Sequence, residues 1–170
     1  MDPLIQEGWV AVDFETTDAV EGWVDQPWQI GVARFESGSC VEPWERYLGV
    51  PKERPFNTYA PGRHAQLRDQ LAEEPELAGC WPEWRARLQG VVLVAHNAGT
   101  EKRVLREAVP MARFGPWVDT LVLARAAWPG LASYALDDLV EQLGLQEQVI
   151  AAVPGREAHD ALYDAVASKG

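Results

Sequence analysis

Asp13 and Glu15 stand one residue apart in AVDFETTD, a run that is otherwise apolar and β-branched. Side chains alternate across a strand, so these two carboxylates project from one face while Val10, Val12 and Phe14 share the other. Ionised carboxylates held that close repel each other and lose hydration, a cost that a divalent cation offsets. A further acid, Glu101, follows an apolar run in VAHNAGTEKRVL, in the first turns of a helix and close after His96 and Asn97. In an open sheet, chemistry collects where strand ends meet helix N-termini. The last group is REAHDALYDAVAS, where His159 precedes Asp164 by five residues. Five residues turn an ideal helix through roughly 500°, which leaves the two side chains about 140° apart. His159 is therefore expected in the loop or at the helix start, with Asp164 on the wall facing the sheet. That arrangement suits a general base on a loop and a metal ligand on a rigid element.

Each group also has a plainer reading. Asp13 and Glu15 fit a frayed strand end running into the turn Thr16-Thr17-Asp18. Glu101 and Lys102 fit a solvated helix face, His96 a half-buried structural histidine, and Glu157 and Asp160 the favoured acids of a helix N-terminus.

The elements that must position these residues follow from periodicity. Extended segments are expected over Trp9 to Thr16, Trp28 to Phe35 and Cys40 to Val50, joined by short turns as an antiparallel meander. After the Pro, Asn and Gly residues of Pro51 to Gly62, helical spacing appears at Leu67 and Leu71. It resumes at Leu77, Trp81, Trp84 and Leu88, with a break near Pro75. Val91 to Ala95 reads as a strand buried on both faces, followed by a helix over Glu101 to Val109. Trp117-Val118 is too short to assign alone. Asp119-Thr120 caps a helix over Leu121 to Trp128, and further helices are expected over Tyr134 to Leu143 and Glu157 to Ser168. Strands first, helices after, and one strand-helix unit between them describe an α/β chain with a mixed sheet flanked by helices.

With 170 residues, 47% of them hydrophobic, the chain suits one domain, residues 1 to 170, built on one core. No apolar run approaches the roughly 18 residues of a membrane span, so no membrane association is expected. MDPLIQEG has neither a basic start nor an apolar signal core, and Cys40 and Cys80 share no motif spacing. A cytoplasmic location and two cysteines acting as small hydrophobes are expected. A net charge of −11 argues against broad wrapping of duplex nucleic acid, which depends on many Lys and Arg contacts to phosphate. It leaves open a small cleft for a strand end and is consistent with a site for an oxygen-ligated divalent metal.

In their order along the chain, VAVDFETT, QPWQIGVARF, LVAHNAGTEKRVL, VDTLVLARAAWPG, YALDDLVEQLGL and HDALYDA resemble the blocks of the DnaQ-like (DEDDh) 3′-to-5′ exonucleases. The resemblance runs from Val10 to Ala165. It implies an RNase H-like fold with a five-stranded mixed sheet, the antiparallel meander extended by parallel strands. It further implies that Asp13, Glu15, Glu101 and Asp164 hold two ions, Mg²⁺ or Mn²⁺, with Asp13 bridging them, and that His159 deprotonates the attacking water. Phosphodiester bonds would then be hydrolysed by a two-metal mechanism, releasing 5′-nucleoside monophosphates from the 3′ end of single-stranded DNA or RNA. The family usually has an aromatic residue and then Asp where this chain has Thr100 and Glu101. That departure motivates an alternative, a catalytically weakened nucleic-acid-binding or scaffold domain.

By the same resemblance Thr16, Thr17, His96 and Asn97 would line the mouth that takes the terminal nucleotide. Lys102, Arg103 and Arg106 would either assist there or form a solvated helix face. Among the eight tryptophans, Trp23 in EGWVDQP is the one placed to touch substrate, and most others are expected in the core. The last helix stops at Ser168-Lys169-Gly170, soon after Asp164, so either the sequence is trimmed there or continuation into, or docking against, something further is expected. The sequence leaves open whether a polymerase, repair or CRISPR adaptation protein is the partner.

Overall fold

The computed structural model describes residues 8–169. The reading of the N-terminal stretch as lacking an export signal falls largely outside them. Three antiparallel strands open the fold: β1 (Trp9–Thr16), β2 (Pro27–Glu36) and β3 (Ser39–Tyr47). The helices α1 (His64–Leu71) and α2 (Trp81–Leu88) follow, with a 3-10 turn at Leu77–Cys80 between them. The chain then forms β4 (Leu93–Ala95), α3 (Gly99–Ala108), β5 (Trp117–Asp119) and α4 (Thr120–Ala127). It ends with α5 (Leu136–Gln142), α6 (Gln146–Ala152) and α7 (Ala161–Ala167). The strand order is β3-β2-β1-β4-β5. β1 pairs antiparallel with β2 and parallel with β4, and β4 pairs parallel with β5. This is the RNase H-like mixed sheet that the motif order implied.

Alternation along β1 sorts the two layers. Val10, Val12 and Phe14 enter a cluster with Ile30, Trp84, Leu88, Val104 and Leu105, so α2 and α3 cover that face. Ala11 joins Ala33, Phe35, Leu162, Ala165 and Val166 on the other, under α7. All seven residues of α7 are buried, and small residues on the strands allow that approach. A Cβ on Gly31 would lie 2.1 Å from the Ala161 carbonyl carbon.

Several boundaries differ from the expectation. β3 ends at Tyr47 because Gly49 and Val50 leave the sheet, their N–H groups donating to Pro75 and Leu71 carbonyls. β4 is confined to Leu93–Ala95, and α5 begins at Leu136 rather than Tyr134. The final helix begins at Ala161 rather than Glu157, because Asp160 caps it by accepting the Leu162 N–H at 3.0 Å. α6 had no sequence signal, since it starts directly after the Gly144-Leu145 stop. Cys80 is buried and Cys40 half-buried, and both are free thiols. Among the described residues no helix is long and apolar enough to cross a membrane.

Candidate active site

β1 runs on to Thr16, whereas β4 pairs with it only at Val10↔Leu93 and Ala11↔Val94 and ends at Ala95. The far half of β1 therefore has an open edge on its parallel side, where strand ends in α/β sheets hold their chemistry. Glu101 enters this notch from α3. It is 3% exposed, and the Phe14 backbone N–H beside it, where β4 has stopped, favours its ionised form. Asp13 and Glu15 occupy the α7 face of the same strand segment. Asp164 projects from α7 above them, and ligand atoms of Glu15, His159 and Asp164 lie within 4.8 Å of one another.

Four carboxylates in so little space hold protons abnormally tightly. Burial raises Glu15 to about 8, with the Asp164 charge adding to it. Asp164 is pushed up to about 7, by burial first and then by Asp137, against the His159 backbone N–H that opposes the shift. Burial likewise takes Glu101 to about 7, although its own amide and that of Phe14 pull the other way. Asp13 is half-buried and stands well above its usual value, through desolvation and then the charges of Asp164, Glu101 and Glu15. It alone senses all three of the other acids, which makes it the centre of the group. Glu101 Oε2 and Asp164 Oδ1 are buried with no hydrogen-bond partner. Unpaired buried acceptors next to acids that resist ionisation fit a set of oxygen ligands for divalent cations. The donor set is therefore suited to the metals that the resemblance implied.

His159 is in the left-handed region at φ 63°, one residue before the cap of α7. Its side chain is half open to solvent, and Nε2 lies 3.3 Å from Asp137 Oδ2 on α5. The loop beneath it is tied down by a polar network. Gln29, 1% exposed on β2, donates to Glu45 at 3.2 Å and to Asp160 at 3.3 Å, and accepts the Ala161 N–H at 3.2 Å. Arg156 bridges Asp160, at 3.0 Å, and Glu45.

The residues expected at the mouth fall into different roles. Thr16 is buried beside the site and hydrogen-bonds Asp18. Thr17 has no exposed surface: its hydroxyl accepts from Arg54 at 2.8 Å and from the Gln26 N–H at 3.0 Å. Both ring nitrogens of His96 are engaged, Nδ1 with Thr120 Oγ1 at 3.0 Å and Nε2 with the Tyr134 carbonyl at 2.8 Å. Asn97 is exposed with φ 60° at the turn into α3. Arg103 pairs with Asp25 at 2.5 Å and Glu107 at 3.1 Å, while Lys102 lies over the Trp117 ring.

Three features had no clear sequence signal. Asp119 caps α4, as expected, but its carboxylate also accepts the N–H groups of Asn97 and Ala98, each at 3.0 Å, and so fixes the start of α3. Partial burial would raise its pKa, and these amides more than reverse that. Arg54 is a buried cation bonded to Thr17 in the turn that follows Glu15, and it comes from a loop that read only as punctuation. Asp137 beside His159 was hidden within an ordinary amphipathic segment.

A family model described as Exonuclease matches residues 10–169. Exodeoxyribonuclease 10 of Escherichia coli (strain K12) is 33% identical over 158 residues, 90% of this chain and 61% of that protein. A PolC-type DNA polymerase III of Thermotoga maritima is 30% identical over 140 residues, 80% of this chain and 10% of the polymerase. The chain thus spans only a part of these relatives. Among solved structures, exonuclease X in complex with 5′ overhanging duplex DNA superposes with a TM-score of 0.71 at 26% identity, covering 95% of this chain and 86% of that one. Exonuclease I superposes at 0.70 and 19% identity, covering 96% of this chain and 39% of that one, a likeness of fold.

Proposed function

Because the chain belongs to the DnaQ-like exonuclease family, we propose that it is a divalent-metal-dependent 3′-to-5′ exonuclease acting on single-stranded DNA or RNA and releasing 5′-nucleoside monophosphates. The observation that carries this reading is the convergence of Asp13, Glu15, Glu101 and Asp164, three of them buried, with two unpartnered buried oxygens among them. Solved complexes of exonuclease X with overhanging DNA and of exonuclease I with oligothymidylate support a nucleic-acid end as substrate.

In this reading the four carboxylates would hold two Mg²⁺ or Mn²⁺ ions, hard cations that favour oxygen ligands. Bound there, the metal would supply the positive charge that steadies the phosphate and eases deprotonation of water. The chain's own groups do the rest. His159, exposed at the cleft and flanked by Asp137, accepts the proton of the attacking water. The network of Gln29, Glu45, Arg156 and Asp160 holds its loop, and the Phe14 N–H favours the ionised form of Glu101. What favours catalysis over a weakened scaffold is Glu101 itself, which is buried among other acids and has one oxygen left unpaired. A decayed position would have no reason to keep a buried acid in that state.

The test is direct. Labelled at the 5′ end and incubated with Mg²⁺ or Mn²⁺, single-stranded DNA or RNA should shorten stepwise from its 3′ end, and Asp13→Ala should abolish the ladder. Failure to shorten either polymer would overturn the proposal.

A further inference from the structure

Trp23 is 45% exposed and Tyr59 is 93% exposed, on two loops tied to the turn that follows Glu15. Trp23 is fixed through its N–H to the Val20 carbonyl, at 3.0 Å, in a small bridge between Val20 and Trp23. Arg54 lies over its ring with Cζ 5.3 Å from the centroid. Arg54 is itself only 3% exposed, and its guanidinium donates to Thr17 Oγ1 at 2.8 Å, to the Val24 carbonyl at 2.6 Å and to the Pro55 carbonyl. Tyr59 is held on its loop by its N–H, which donates to Asn57 Oδ1 at 2.9 Å. Asn57 in turn donates from its backbone to the Thr17 carbonyl at 2.9 Å and from its side chain to the Ala19 carbonyl at 2.7 Å.

A single exposed aromatic residue is ordinary on a protein surface. A tryptophan braced from beneath by a buried cation is less so, because burying a guanidinium is costly unless the geometry it enforces is used. A ring held in place also loses little entropy when something stacks on it. Meanwhile the cations near the site are largely committed: Arg103 to Asp25 and Glu107, and Lys102 to the Trp117 ring. With a net charge of −11, the protein has little with which to grip phosphates outside the metal site.

We propose that Trp23, braced by Arg54, together with Tyr59 on the neighbouring loop, forms a stacking platform for unpaired nucleobases of the strand whose end enters the carboxylate site. This rests on the exonuclease reading and deepens it. The face of a base is free for such stacking only when its duplex neighbours are gone, so the platform selects single strands, and stacking tolerates any sequence.

The test measures binding apart from cleavage. A fluorescent oligothymidylate with phosphorothioate linkages at its 3′ end is titrated with the full chain in Ca²⁺, and anisotropy gives Kd for wild type, Trp23→Ala, Trp23→Phe and Tyr59→Ala. Trp23→Ala should weaken binding by about tenfold or more, with a smaller loss for Tyr59→Ala. Trp23→Phe, which keeps a ring on the same backbone, should recover most of the affinity. Equal affinity across all four proteins overturns the platform, as does a Trp23→Phe no better than Trp23→Ala. Hydrolysis of a thymidine monophosphate nitrophenyl ester without measurable oligonucleotide binding overturns the platform while leaving the exonuclease reading intact. Ring-dependent binding with no hydrolysis of any substrate does the reverse.

Discussion

Gly31 on β2 sits directly across from Asp13 on β1, and the backbone of Ala161 at the start of α7 packs where a side chain on Gly31 would be. An added Cβ would lie 2.1 to 2.3 Å from the Ala161 carbonyl and the Leu162 nitrogen. These are backbone atoms, so the whole N-terminus of α7 would have to retreat, carrying Asp164 and the His159 loop away from Asp13. Overpacking of this kind costs about 1 to 3 kcal/mol. Gly31→Ala is expected to lower the melting temperature and, at temperatures where the variant is still folded, to remove most metal-dependent nuclease activity. Circular dichroism and a 3′-shortening assay on the same preparation check both, and a folded variant of wild-type activity would refute the coupling.

The acid cluster makes metal-free stability fall as pH rises. Folded-state values of about 8 for Glu15 and about 7 for Glu101 and Asp164 lie above the unfolded values, near 4. The folded protein therefore holds protons that the unfolded chain has released, and this stabilisation is complete below the unfolded values and lost through the folded ones. In EDTA the melting temperature should be higher at pH 5.5 than at pH 8.5. Mn²⁺ or Mg²⁺ should raise it more at pH 8.5, where the acids are otherwise unneutralised. A metal-free protein more stable at pH 8.5 would contradict the arrangement.

Much of this was legible in the chain because it depended on residue type and short-range period. β1 announced its two faces by alternation, and Asp13, Glu15 and Asp164 could be singled out since ionisable residues in apolar segments need a reason to be there. β5 and α6 were not legible: three residues carry no period, and Gln146–Ala152 follows its helix stop too closely to register as a new element. The supporting residues were hidden for a different reason. Gln29, Arg54 and Asp137 act through partners far along the chain, and nothing in their local surroundings marks them; Asp119 was marked as a cap, but not as the acceptor for the Asn97 and Ala98 amides. Arg54 shows this best, since a loop of Pro, Asn and Gly residues gives no hint that its one buried cation will reach the Thr17 hydroxyl.

Glu101 should prove adapted to its length. Its carboxylate reaches the open edge of β1 where the Phe14 N–H favours its ionised form, and a side chain one methylene shorter would pull back from that place. Displacing a catalytic group by about an ångström can cost on the order of 10²-fold, so Glu101→Asp is expected to lose roughly tenfold or more in kcat/KM. Glu101→Gln separates stability from catalysis. It removes one acid from the cluster and should raise the metal-free melting temperature at pH 8.5, yet abolish metal-dependent hydrolysis. A gain in rate for Glu101→Asp would instead favour the weakened-scaffold reading.

Arg156 is expected to act on the reaction through His159. It bridges Glu45 and Asp160, and Asp160 caps α7 one residue after the imidazole that is proposed to take the proton. His159→Ala is expected to lower kcat by about 10² to 10⁴, the usual range for a general base. Arg156→Ala should lower kcat by a smaller factor, with KM nearly unchanged, because the loop is loosened while the carboxylates stay on their strand and helices. The two effects should not add. In the His159→Ala background there is no imidazole left to position, so removing Arg156 should change kcat little further, although its effect on melting temperature should persist. Full additivity of the two losses in kcat would mean that Arg156 acts on the site by some path other than His159.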